Sequence, residues 1–311
     1  MQKKEEINNK FLEDISILIS NNSANKIKEL ISDLHIADIA EVIEKLPIHQ
    51  SNYLFQLLEE EKSAVVLMEL EEDVREHLLS LLSSKEIATE VIENLESDDA
   101  TDIISELPEQ QKEEVLSLIE DNEHASDISD LLNYEEDTAG GLMAKELIKV
   151  RENWNNLQCL KEMRKQAADV KKVHTIYVVD DEDKLLGTLS LKRLLFSDSK
   201  TEIREITNYE IISVLATEDD ESVANIMNKY DLIVIPVVDK NNVLIGRITI
   251  DDAMDVVKEE AEKDYQMASG ISEDVESSDN LWHLTRARLP WLLIGLLGGL
   301  LGAKVIGIFD L

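Results

Sequence analysis

Ile176-Tyr-Val-Val-Asp180, followed by Leu185-Leu-Gly-Thr-Leu-Ser190, returns further along the chain as Ile235-Pro-Val-Val-Asp239 and Val243-Leu-Ile-Gly-Arg-Ile-Thr249. The offset is 59 at every matched position: Val179 to Val238, Asp180 to Asp239, Leu185 to Leu244, Gly187 to Gly246 and Ser190 to Thr249. Gapless self-similarity of this kind marks an internal duplication. Short β-branched runs around an Asp- or Gly-containing turn read as strand, turn, strand. Helical patterns precede each copy, around 157–168 and 222–230, and follow it, so the repeated unit is helix, strand, turn, strand, helix.

Upstream of this pair the pattern changes. From about residue 10 to residue 132 apolar residues fall at i, i+3, i+4 spacing, as in Ile39, Val42, Ile43 and Leu46, or Ile103, Ile104 and Leu107. No glycine occurs before Gly140, and short helices are expected to restart at Ser97-Asp98, Pro47 and Pro108. Residues 37–47 recur 61 positions later as 98–108, which predicts stacked helical hairpins in an all-α superhelical domain. Downstream, 251–268 reads as one long helix with Met254, Val257, Ala261 and Tyr265 on its apolar stripe, and 269–280 as a polar tether.

The chain then runs into an apolar stretch over 289–311 whose central part, Trp291 to Phe309, carries one charge, Lys304. At about 1.5 Å per residue this segment is roughly 28 Å long, close to a bilayer's hydrocarbon thickness. A buried core helix is the alternative. Arg286 and Arg288 precede it, so the preceding domains are expected on the cytoplasmic side of a cell membrane.

Of the 311 residues, 66 are Asp or Glu and 31 Lys or Arg, a net charge of −35. Such a balance argues against nucleic acid as a partner and for cations or a basic surface. Residues 51–150 hold 28 acids against 6 bases and residues 201–279 hold 20 against 6, whereas 151–200 hold 8 against 10. Two acidic blocks must therefore fold beside a neutral one, as solvated helix faces or as cation-binding surfaces. The single cysteine, Cys159, excludes a disulfide framework. The six histidines show no metal-ligand spacing and no Ser/His/Asp grouping stands out, so no enzyme activity is expected. Met1-Gln-Lys-Lys-Glu-Glu opens no signal-peptide pattern.

The duplicated unit, closing on Gly246-Arg-Ile-Thr-Ile-Asp-Asp252, resembles a pair of CBS domains. Tyr134-Glu-Glu-Asp-Thr-Ala-Gly-Gly-Leu-Met143 joins it to the acidic helical domain, and Arg288-Leu-Pro-Trp-Leu-Leu293 follows the Asp-rich helix. In that order the whole is similar to the MgtE magnesium channel family. The resemblance implies an α+β multidomain chain: a helical N domain over 1–133, CBS domains over 134–200 and 201–254, a connecting helix and tether over 255–280, and a first transmembrane helix over 289–311. It also implies a homodimer joined through the CBS domains, sensing cytosolic Mg²⁺ and gating a pore of five membrane helices per subunit, of which this sequence contains the first.

By the same resemblance, Asp98 and Asp102 match positions that meet Asp252 and Asp255 across bound Mg²⁺, and Glu221, Asp231 and Glu260 match positions of further ions. Lys263 stands where another acid is expected. Mg²⁺ takes oxygen ligands and keeps several waters, so one or two carboxylates per surface suffice. For any single one of these residues an ordinary cap or solvated carboxylate is the alternative. CBS pairs also bind adenine nucleotides, and Thr249-Ile-Asp-Asp252 matches the Thr-x-x-Asp ribose signature, with ATP the expected ligand; the alternative is that Thr249 only caps the helix beginning there. The first copy has Ser190-Leu-Lys-Arg193, without the Asp. A membrane-tethered CBS regulator that binds adenine nucleotide is the rival function.

Overall fold

The computed structural model describes residues 7–167, 170–268 and 281–309; the expected tether over 269–280 lies outside them. The helical region consists of α1 (Asn9–Ser20), α2 (Ala24–Ile31), α3 (Ile36–Lys45), α4 (Ile48–Phe55), α5 (Glu60–Met68), α6 (Glu72–Leu79), α7 (Ser84–Glu86), α8 (Ser97–Glu106), α9 (Glu109–Leu118) and α10 (Asn122–Leu131). Between α7 and α8 the chain winds through a π turn at Ile87–Val91 and a 3-10 turn at Ile92–Asn94. Ile39, Val42 and Ile43 of α3, Ala64, Val66 and Leu67 of α5, and Ile103 and Ile104 of α8 are buried in one continuous core. The 61-residue repeat is visible in the backbone: α3 and α8 both stop at a leucine before proline, Leu46 (φ −84°, ψ 152°) and Leu107 (φ −76°, ψ 151°). A following proline ring disfavours helical geometry at the residue before it.

The duplicated region forms two three-stranded sheets. The first has the order β1 (Ile148–Arg151), β2 (Ile176–Val179), β3 (Leu185–Leu189), and the second β4 (Val214–Leu215), β5 (Val234–Val238), β6 (Leu244–Thr249). β1 runs parallel to β2 with Ile148 opposite Ile176, and α11 (Asn156–Gln166) connects them. The remaining helices of this region are α12 (Leu191–Phe196), α13 (Ile203–Ile206), α14 (Asp220–Lys229) and α15 (Ile250–Ala268).

The duplication extends to individual hydrogen bonds. Asp180 Oδ1 accepts the amides of Glu182 and Lys184, and Asp239 Oδ1 accepts those of Asn241 and Val243, all at 2.8–2.9 Å. Each turn then places one residue in the left-handed region, Asp183 at φ 61° and Asn242 at φ 66°, where a short polar side chain is tolerated. The two turns pair with each other: the Leu185 amide donates to Asn242 O and the Leu244 amide to Asp183 O. Tyr177, Val179 and Leu185 pack with Val238 and Leu244 in a shared core.

The chain divides into two compact units, one of Met1–Asp219 with Ile233–Ile248, the other of Asp220–Leu232 with Thr249–Leu311. In the second, α14 packs against α15. It also contains α16 (Leu281–Phe309), in which Leu289–Gly307 is long and apolar enough to cross a membrane and none of this stretch is buried. A buried core helix is therefore not its place in this structure.

Candidate functional site

The helical region meets the first CBS module through a polar seam. Ser97 was expected to cap α8, but Glu96 is the residue preceding that helix and Ser97 its first turn. The Ser97 hydroxyl instead donates to Glu146 Oε2 (2.8 Å) and accepts the Lys145 amide (2.9 Å), and the Ser97 amide donates to Glu146 Oε1 (3.0 Å). A long-range acceptor thus replaces a local cap. His124 of α10 lies 3.7 Å from the same carboxylate and holds the Ile92 carbonyl with its other ring nitrogen at 3.1 Å. Burial opposes charge on both groups, yet the hydrogen bonds prevail: His124 is raised above its ordinary value and Glu146 is lowered.

Arg247 of β6 completes the seam. Its guanidinium donates from Nη2 to Glu96 Oε2 (2.9 Å) and from Nε to the Glu146 carbonyl (2.7 Å). Lys171 adds a bond to the Asn94 carbonyl at 2.6 Å. A small cleft borders Arg247 and Tyr177, edged by Glu146, Lys172 and His174. Arg247 Nη1 and the Tyr177 hydroxyl are buried there without a hydrogen-bond partner.

Asp98 and Asp102 lie four residues apart on α8, a spacing that puts both on one side of the helix, yet the first is buried and the second exposed. Asp98 Oδ1 accepts the Asp99 amide. In the second unit, Asp252, Asp255 and Glu260 lie along the first three turns of α15. Asp255 pairs with Lys258 at 2.5 Å, an exposed pair, and Glu260 with Lys263 at 2.9 Å, a half-buried one. Glu259, on the same helix, is raised above its ordinary value by desolvation and by the negative field of Asp255, Asp220 and Glu260, with Lys263 opposing. Asp220 of α14 was absent from the sequence expectations; it joins this acidic group because α14 packs on α15.

Glu221 is exposed in the first turn of α14, and Asp231 follows that helix in the left-handed region at φ 53°. The Leu232 amide returns to the Met227 carbonyl across Asp231, the pattern of a helix C-cap. Thr249 precedes α15, and Asp252 Oδ2 accepts from both its amide and its hydroxyl. Among the described residues, no three His, Cys, Asp or Glu side chains converge in a group that could hold a metal ion by themselves.

Residues 34–137 match the family described as the MgtE intracellular N domain, and residues 139–199 and 203–259 each match the CBS domain. The magnesium transporter MgtE of Thermus thermophilus is 38% identical over 182 residues, which are 58% of this chain and 40% of that protein. The magnesium transporter MgtE of Enterococcus faecalis is 36% identical over the same shares. This chain therefore spans well under half the length of the curated relatives it matches. A crystal structure of the soluble part of a magnesium transporter is 30% identical with a TM-score of 0.69, covering 80% of this chain and 98% of that one. The cytosolic domain of the Mg²⁺ channel MgtE in complex with ATP is 32% identical with a TM-score of 0.53, covering 75% and 99%. With an MgtE N domain, a CBS pair and an apolar helix in that order, the chain belongs to the MgtE family of magnesium transporters, which are not enzymes.

Proposed function

We propose that this chain is the Mg²⁺-sensing cytosolic region of an MgtE-type magnesium transporter, together with a first membrane helix. The observation that carries the reading is the pair of acidic surfaces: Asp98 and Asp102 on α8, and Asp252, Asp255, Glu259 and Glu260 on α15 with Asp220 beside them. Two like charges about 4 Å apart repel by roughly 1 kcal/mol in water and several-fold more where partly desolvated. Mg²⁺ with retained waters relieves that repulsion using one or two carboxylates at a time. The exposed Asp255–Lys258 pair is weak enough to yield to a divalent ion. Because a bound cation favours whichever arrangement binds it better, its concentration sets the state of the acidic surfaces. Glu221 and Asp231 are secondary ligands in this reading, Asp231 alongside its part in the helix end.

The domains before α16 are placed in the cytoplasm and the CBS pair in a homodimer. ATP is proposed as a second ligand at Thr249 and Asp252, on the strength of the ATP complex of the related cytosolic domain. Limited proteolysis of the full chain with and without millimolar Mg²⁺ tests the sensor. Mg²⁺ should slow cleavage, and Asp98→Asn with Asp102→Asn should blunt the protection. Identical digestion at all Mg²⁺ levels would sink the reading.

A further inference from the structure

Lys263 stands on the packed face of α15. Ala253 and Val256 are buried on that face, and Glu260 and Lys263, at i+7 and i+10 from Ala253, are half-buried on the same side of the helix. A face that buries apolar side chains is not where a lysine serves solubility. The Lys263 ammonium lies 2.9 Å from Glu260 with both side chains 40% exposed, whereas Lys258 and Asp255, off this face, are 67% and 64% exposed. Lys263 also acts on Glu259: of the charges around that carboxylate it has the largest effect, opposite in sign to Asp255, Asp220 and Glu260. One ammonium therefore serves two carboxylates, three and four residues before it, as helical spacing allows.

We propose that Lys263 is a resident cation of the acidic α15 surface, its ammonium taking the place of one Mg²⁺ and so setting how many ions that surface binds. The inference rests on the reading of α15 as a Mg²⁺ surface and deepens it. A side-chain ammonium is a compact point charge on a flexible stem, and it cannot diffuse away. Its positive charge therefore acts on Glu259 and Glu260 at every Mg²⁺ concentration. A divalent ion approaching the same carboxylates meets a like charge, at a half-buried place where salt screens less than in open solvent. Nor can the ammonium join the ion's shell, because it has donors and no acceptor while Mg²⁺ takes oxygen ligands. Mg²⁺ is thereby left the start of α15, around Asp252 and Asp255, where the competing Lys258 pair is exposed and weak.

Equilibrium dialysis of the full chain in detergent against Mg²⁺ counts the ions. Lys263→Glu should bind about one more Mg²⁺ per chain than the unaltered protein, and Lys263→Gln should bind its weakest ion about fivefold more tightly. Lys263→Arg, which keeps the charge, should match the unaltered chain. Lys258→Glu makes the same change of charge at the exposed pair and should leave the count as it was. In EDTA, chymotrypsin should cut at the exposed Tyr265 faster in Lys263→Gln than in Lys258→Gln, because only the first loses the resident charge. An unchanged Mg²⁺ count in Lys263→Glu, or the same gain in Lys258→Glu, would overturn the proposal. If the unaltered chain takes up no Mg²⁺, the sensing reading fails instead; the resident charge is then decided in EDTA, where equal cleavage of Lys263→Gln and Lys258→Gln would overturn it.

Discussion

Asp252 accepts two hydrogen bonds from Thr249, the amide at 2.9 Å and the hydroxyl at 2.7 Å, and so closes the start of α15 with the same carboxylate proposed to face cation. The two roles separate by mutation. Thr249→Ala removes the hydroxyl but keeps the carboxylate, at a cost of about 1 kcal/mol. Asp252→Asn should cost a similar amount in a thermal melt and, unlike Thr249→Ala, also reduce Mg²⁺ protection in proteolysis. An equal loss of Mg²⁺ response in both variants would assign Asp252 to the helix start alone.

Local patterns were legible and long-range polar contacts were not. The 59-residue offset predicted the paired turns because Asp180 and Asp239 each organise a few following residues, an effect that sequence spacing records. The seam is different: Ser97 reaches Glu146 across 49 residues and Arg247 reaches Glu96 across 151, and no periodicity encodes such a pairing. Arg247 did carry one signal, as a cation in a β-branched strand where its duplicate has threonine. Asp220 was missed because its relation to Glu259 depends on how two helices pack.

The duplicated glycines should differ in tolerance. A Cβ on Gly187 would come within 2.4 Å of the Asn208 carbonyl oxygen, a backbone atom fixed by the Thr188 pairing. On Gly246 it would meet Met143 Sδ at 2.5 Å, the end of a flexible side chain, and Ala144 O at 3.0 Å. Gly187→Ala is therefore expected to cost about 1–3 kcal/mol, and Gly246→Ala less. Denaturant melts of both variants check the order; a reversed order would mean that the Met143 side chain cannot move aside.

Acidity should tighten the seam. His124 faces Glu146 from the CBS side, Asp121 on its own helix and the Ile92 carbonyl, and its folded value lies above the ordinary 6.5. Its contribution is then fully present below about pH 6.5 and is lost as pH rises through the raised value. Glu146 is lowered from 4.5, so its contribution persists until pH falls through that lowered value. Exchange of the Ser97 amide, corrected for its intrinsic pH dependence, should be slower near about pH 6 than near about pH 8. His124→Gln should remove the difference, and a pH dependence that survives this change would place the titrating group elsewhere.

Cys159 offers a probe of the first CBS core. It lies on α11, fully buried among Ile148, Val150, Ile176 and Leu194, and burial pushes its thiol up to about 12. The thiolate is the reactive form, and near pH 8 it is on the order of one part in ten thousand in the folded protein. Reaction with iodoacetamide must therefore wait for the module to open, whereupon the thiol returns to an ordinary value and reacts. Labelling of the native chain should be slow, insensitive to Mg²⁺, and faster in Gly187→Ala, because that change strains the sheet on which α11 rests. Rapid labelling of the unaltered chain would show that the core around α11 opens far more easily than its packing predicts.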